Sequence, residues 1–200
     1  MSVENLLAFN LVLMAAIASP GAAMLYFVKT CVSAGRVAGL ATGLGLAVAA
    51  SLWTLAALLG LESLFTVFPW AYGAIKIAGA LYLLWIAVQT WRHASDVLQG
   101  AQTRKSHAFL SGLLVNAGNP KSMLFAAAVI VVIFPQGLGV QGITLIVLNH
   151  LMLEIAFYSL LAFVLSGASA RKKYMTAKPV LDRLAAGVLG ALGLRLLLER

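Results

Sequence analysis

Acidic side chains are scarce in this sequence: 6 Asp and Glu stand against 14 Lys and Arg in 200 residues, and only 10% of residues are charged. A water-facing domain needs a far more charged surface, so a soluble globular class is excluded. The same scarcity weighs against an intramembrane enzyme acting on a lipid or prenyl substrate. Such an enzyme needs a nucleophile–base pair or a carboxylate cluster at one depth. Cysteine is limited to Cys31, which permits no intrachain disulfide and no cysteine metal site. Met1 to Asn5 carry no Lys or Arg, and Pro20 follows the small residues where cleavage would be sought. Both features point to a retained first helix rather than a signal peptide.

What is abundant is apolar: 62% of the residues are hydrophobic and the mean hydropathy is +0.98. Runs of about 20 apolar residues mark helices that cross a bilayer. Six such runs occur, at 6–28, 39–61, 68–90, 109–134, 143–166 and 180–198. The fold class expected is therefore an all-α polytopic membrane protein. Connections are short, so residues 1–200 read as one transmembrane domain, with a first half at 1–92, a loop at 93–107 and a second half at 108–200.

The net charge of +8 does not signal nucleic acid, because the bases lie between apolar runs rather than on one aromatic-lined face. Lys29 and Arg36 fall between runs one and two, Arg92, Arg104 and Lys105 between three and four, and Arg171, Lys172, Lys173 and Lys178 between five and six. By the positive-inside rule these three connections are cytoplasmic and both termini lie outside. Trp70 and Tyr72 then mark the outer interface, and Trp91 and Tyr174 the inner one.

The two halves resemble each other. Phe9 to Pro20 and Phe109 to Pro120 have the same spacing, and Gly79-Ala-Leu and Gly187-Val-Leu occupy comparable places in runs three and six. Three spans per copy is an odd number, so the second copy must be inverted. Inverted repeats with paired interruptions point to a transporter's binding site. The alternative is an accessory subunit without transport, in which the prolines are plain kinks.

The interruptions hold the candidate site. Pro20-Gly21 breaks run one, and Asn119-Pro120-Lys121 breaks run four. Non-helical backbone at that depth survives only where protein or a water-filled cavity satisfies it. A broken helix offers N–H groups to an anion at the start of its second half, and Asn116 and Asn119 add amides. Lys121 lies about twelve residues into its run, too deep to snorkel easily. It is available to bind a carboxylate, pair with an acid or exchange a proton, or it fixes the helix break through a structural ion pair.

Glu154 is the one acid deep in a run, and it reads as the natural partner of Lys121 or as a site for an amine or proton. His150 is four residues earlier, on the same helix face, with Asn149 beside it. Two ligands without a third in register make no zinc site, so neither a metal nor another cofactor is expected. Lys76 sits where it can snorkel, and Glu62 and Asp96 fall in connections. Gly35, Gly39 and Gly43, and Gly187, Gly190 and Gly193, read as small-residue packing faces, compatible with homo-oligomers as well as with packing inside one chain.

These residues resemble those of the LysE/RhtB family, the lysine exporter and homoserine–threonine resistance group. Ser19-Pro20-Gly21 with Gly35-Arg36-x-x-Gly39-Leu40 resembles the family's Pro-Gly-Pro segment and the loop after it. Lys76-Ile-Ala-Gly79-Ala-Leu-Tyr82-Leu-Leu resembles the third-span motif, and Gly112 to Lys121 followed by Phe125 resembles the fourth-span signature. Leu181-Asp182-Arg183 through Leu196 resembles the usual chain end. The resemblance covers nearly the whole chain, and the order and spacing of its motifs carry it. It implies proton-driven efflux of an amino acid or related small metabolite across the bacterial inner membrane. The chain departs from the family pattern at Ala22 and Ala23, which stand in place of a second proline and a polar residue. It departs again at Ala47 to Ala50, where many members carry an acid and this chain has only Ser51 nearby. Both changes remove polarity from the expected site and leave Glu154 to supply the acid.

Overall fold

A computed structural model of the chain describes residues 2–19, 21–68, 70–94, 107–135 and 137–198. The described residues form eight helices and no strand: α1 (Val3–Ala18), α2 (Ala22–Ala34), α3 (Arg36–Val67), α4 (Trp70–Arg92), α5 (Ala108–Ala117), α6 (Pro120–Ile133), α7 (Val140–Ser166) and α8 (Ala168–Leu198). Each apolar run falls on helix. Runs one and four are each divided in two, α1 from α2 and α5 from α6, with bends of 61° and 60°. Pro20, Asp96, Arg104, Lys105 and Arg200 lie outside the described residues, as do the side chains of Glu62, Tyr72, Lys76 and Tyr174.

The helices extend further than hydropathy indicated. α2 runs to Ala34, α3 to Val67, and α8 begins at Ala168. The connection expected between runs five and six is therefore mostly helix, with only Gly167 between α7 and α8. Arg, Lys, Met and Ala are good helix formers, so a polar stretch carries the helix beyond the apolar part that would occupy lipid. α8 continues through Pro179.

Large apolar side chains cover the outside as well as the core. Leu11, Leu52, Leu148, Leu160 and Phe163 are all exposed, while Phe9, Leu13, Phe27, Leu46, Leu83 and Leu189 are fully buried. Helices that are apolar on every side suit a bilayer and not water. Among the described residues two helices are long and apolar enough to cross a membrane, Arg36–Gly60 and Val140–Leu165, and up to four spans result if each bent pair counts as one. The apolar runs at 68–90 and 180–198 fall largely on α4 and α8, which are not among these candidates.

α3 is central, packing on α5, α7, α6 and α2, while α4 packs on α8 and α6, and α1 on α8. The tightest approach is α3 on α5. A Cβ on Gly45 would stand 2.1 Å from the Phe109 carbonyl oxygen, and one on Gly112 would stand 2.3 Å from that of Thr42. Thr42 Oγ1 also donates to the Ala108 carbonyl at 3.2 Å.

The expected glycine faces are divided in role. Gly39 and Gly43 face Cys31 and Tyr158 too closely for a Cβ, and Gly193 faces Leu84 and the Ala80 carbonyl. Gly190 has ordinary room against Ala87, whereas Gly187 faces open space. Gly35 does not pack either. With φ +87° it makes the left-handed turn between α2 and α3, a conformation that side chains with a Cβ avoid.

Candidate functional site

The second break is built from its own sequence. Gly118 N–H closes α5 on the Leu114 carbonyl at 3.0 Å. Asn119 then turns extended and caps α6, its Oδ1 accepting from the Lys121 N–H at 3.0 Å, and Pro120 occupies the first turn, where no donor is required. Asn116 and Asn119 also fasten the break to its surroundings. Asn116 Nδ2 donates to the Leu46 carbonyl at 2.7 Å, and its Oδ1 accepts from Ser122 Oγ and, at 3.4 Å, from Asn119 Nδ2. The amides expected to serve a ligand are thus largely occupied in holding α5, α6 and α3 together.

The first break is less furnished. Ser19 ends α1, its N–H reaching the Ala15 carbonyl at 3.1 Å, and its hydroxyl bonds that of Thr90 on α4. Gly21 stands at the N-terminus of α2 with no side-chain cap. α1 has no basic residue in its last turn. Lys121 supplies one from α6: its Nζ donates to the carbonyls of Ala16 and Ser19, each at 3.0 Å. A cation at a helix C-terminus satisfies otherwise unpaired carbonyls and complements the helix dipole. The two breaks are therefore joined through one ammonium. Gly21 lies beneath it, where an added Cβ would come 3.3 Å from Lys121 Cδ.

This arrangement corrects one expectation. Lys121 does not pair with Glu154; among the described residues Glu154 has only His150 as an ion-pair partner. Glu154 Oε1 meets His150 Nε2 at 3.2 Å, and His150 Nδ1 meets Thr54 Oγ1 at 2.8 Å. With Thr54 donating to Nδ1, the Nε2–H donates to the carboxylate. Phe9 packs edge-on against the imidazole, 5.7 Å between ring centres. Glu154 Oε2 is buried with no hydrogen-bond partner among the described residues.

Lys121 and Glu154 instead share a cavity, which offers about 40 Å³ to the centres of water molecules. At roughly 10–15 Å³ per water, that is room for a few waters. Of the residues singled out from sequence, Gly21, Asn116, Asn119, Lys121, His150 and Glu154 line it. Pro120 stands in the first turn of α6, and its side chain lies outside the described residues. Asn149 faces elsewhere, its Nδ2 donating to Asn10 Oδ1 on α1 at 2.6 Å. Ser19, Ser122 and Tyr158 also line the cavity, and sequence reasoning did not assign them roles. Single hydroxyls inside apolar runs give no pattern that marks them.

A second buried ion pair lies on α8. Lys178 Nζ bonds Asp182 Oδ2 at 2.7 Å and the Ala94 carbonyl at 3.2 Å, and both residues are buried. Glu154 is thus not the only buried acid; Asp182 stands at the edge of its apolar run and is covered because α8 extends past it.

Comparison with known proteins bears on what such a cavity serves. A family model for LysE type translocators matches residues 14–200. The chain is 25% identical over 192 residues to the threonine efflux protein of Escherichia coli (strain K12), covering 92% of this chain and 93% of that protein. It is 35% identical over 127 residues to the homoserine/homoserine lactone efflux protein of Salmonella typhimurium, covering 59% and 57% of the two chains. An uncharacterized membrane protein of Bacillus subtilis (strain 168), YrhP, is 25% identical over 209 residues, covering 96% and 98%. No solved structure matches. With its family motifs carried through almost its full length, the chain belongs to the LysE type translocators, membrane transporters and not enzymes.

Proposed function

We propose that the chain is a secondary active exporter of an amino acid or amino-acid-like small metabolite, working from the cytoplasm across the bacterial inner membrane. The observation that carries this reading is the cavity between two broken helices, with a lysine of one break reaching the other. Threonine and homoserine efflux by relatives supports the substrate class.

In this reading the chain has six spans in two inverted three-helix repeats, with α1–α2 and α5–α6 as the equivalent broken spans. The mutual packing of α3 with α7 and of α4 with α8, equivalent helices in the two halves, supports it. The basic connections face the cytoplasm and both termini lie outside. Alternating access would rock the halves about the cavity, which must widen beyond its present room for a few waters to admit a metabolite. A substrate carboxylate would approach Lys121 and the uncapped N-terminus of α2 at Gly21. Asn116, Asn119 and Pro120 hold the second break in shape, and His150 and Glu154 close the other side. Export is coupled to proton entry.

Metabolite profiling of spent medium from deletion and overexpression strains tests the reading. One or a few amino acids or close derivatives should accumulate outside on overexpression and fall on deletion. An unchanged profile in both strains would refute it.

A further inference from the structure

Glu154 has one oxygen that the described protein leaves unsatisfied. Oε1 is held by His150, while Oε2 is buried and unpartnered in the side chain's position on the cavity wall. The Glu154 side chain is 4% exposed, so bulk water does not supply the missing donor. Burying a carboxylate oxygen without a donor is costly. A cavity water can donate to Oε2 while the site is empty. A proton on the carboxyl or an ammonium group in the cavity compensates the buried carboxylate more strongly, and one oxygen cannot serve both of these. The other titratable groups facing the cavity are Lys121 from α6 and His150 and Tyr158 from α7. Among the described lining residues, α1, α2, α3 and α5 present only apolar, hydroxyl, amide or backbone groups. Lys121 is already engaged by the Ala16 and Ser19 carbonyls.

We infer that Glu154 is the site at which a proton and the substrate's ammonium group compete, and that this exchange couples their fluxes. The inference rests on the exporter reading and deepens it, because it restricts the substrate to compounds carrying a cationic amine. The step balances. As the ammonium group binds, the carboxyl O–H bond breaks and one proton leaves through the cavity water, with His150 beside it. The neutral carboxyl plus a cation becomes a carboxylate–ammonium pair plus a released proton. Thr54 and His150 are positioning residues that hold the carboxyl. For a zwitterion, the substrate carboxylate then falls toward Lys121 and α2.

The test uses the full chain purified in detergent. Binding of L-threonine, L-homoserine and the remaining proteinogenic amino acids is measured by calorimetry, each against the same acid lacking its 2-amino group. The wild type should prefer the amine-bearing member of at least one pair by about tenfold or more, the scale of a charge-assisted hydrogen bond. Its affinity should tighten as pH rises and the competing proton is removed, with proton release on binding read from buffers of different ionisation enthalpy. Glu154→Gln keeps the shape and a partner for His150; it should lose both the amine preference and the pH dependence, while Glu154→Asp retains them. Unchanged amine preference and proton release in Glu154→Gln would overturn this inference alone. So would wild-type affinity that does not vary with pH, a result independent of any variant. A wild type that binds no member of the panel would overturn the exporter reading and this inference with it.

Discussion

Lys121 joins two helices through two backbone carbonyls, and the consequences of removing it follow from that geometry. Lys121→Ala leaves the Ala16 and Ser19 carbonyls at the end of α1 without their donor. An unsatisfied buried acceptor costs about 1–3 kcal/mol, so the first break should loosen while the apolar helices still insert. Export should fall by about fivefold to a hundredfold, the factors that such energies correspond to at about 1.4 kcal/mol per tenfold. Membrane fractionation and an efflux assay on the same cells check both halves of the expectation. Lys121→Arg keeps donors for both carbonyls and should retain more function than Lys121→Ala. At Asp182 the argument is electrostatic. Asp182→Ala strands the buried Lys178 ammonium, and breaking one partner of a buried pair costs about 3–5 kcal/mol. The apolar double replacement, Lys178→Met with Asp182→Leu, should be less damaging in thermal unfolding in detergent than Asp182→Ala alone.

At the scale of the elements, the glycines separate by what lies beyond the missing Cβ. Gly45→Ala and Gly112→Ala drive a methyl into backbone on the facing helix, at 2.1 and 2.3 Å. Overpacking typically costs about 1–3 kcal/mol, and rigid backbone offers less relief than a side chain. Gly187→Ala meets open space and should gain about 0.5–1 kcal/mol from helix propensity. The order of melting temperatures, Gly187→Ala at or above wild type and the other two well below, checks the distinction. Sequence spacing grouped Gly35, Gly39 and Gly43 with Gly187, Gly190 and Gly193 as packing faces, although Gly187 and Gly35 meet open space, because it records intervals and not what the neighbouring helix presents. The same limit appears at Asn149 and His150: adjacent residues on a helix face different directions, so one reaches Asn10 and the other Glu154. The breaks themselves were legible, since proline is local chemistry written in the sequence, whereas Asn119 was expected to serve a ligand and instead caps α6. Lys121's partners were not, because backbone carbonyls carry no residue identity.

For the whole molecule, apolar composition was sufficient to place helix along every run, but not to find where the helices end. Charged helix formers extend α3 and α8 past the hydrophobic stretch, which is how Asp182 became buried. The two-half organisation remains a matter of topology. Single cysteines placed after replacing Cys31 should be labelled by an impermeant reagent from outside the cell at both termini, and only from the cytoplasmic side at positions 171–173. Labelling of the two termini from opposite sides would rule out an even number of spans and with it the paired inverted halves.

The central claim is that amino acids cross the membrane through the cavity between the two breaks. Reconstituted vesicles loaded with a mixture of amino acids and given an imposed proton gradient test it most directly. Wild-type protein should release one or a few of them, faster with the gradient than without it, and Lys121→Ala should release them several-fold more slowly or not at all. Equal release by wild type and Lys121→Ala, or no release of any amino acid by correctly inserted wild type, would contradict the account.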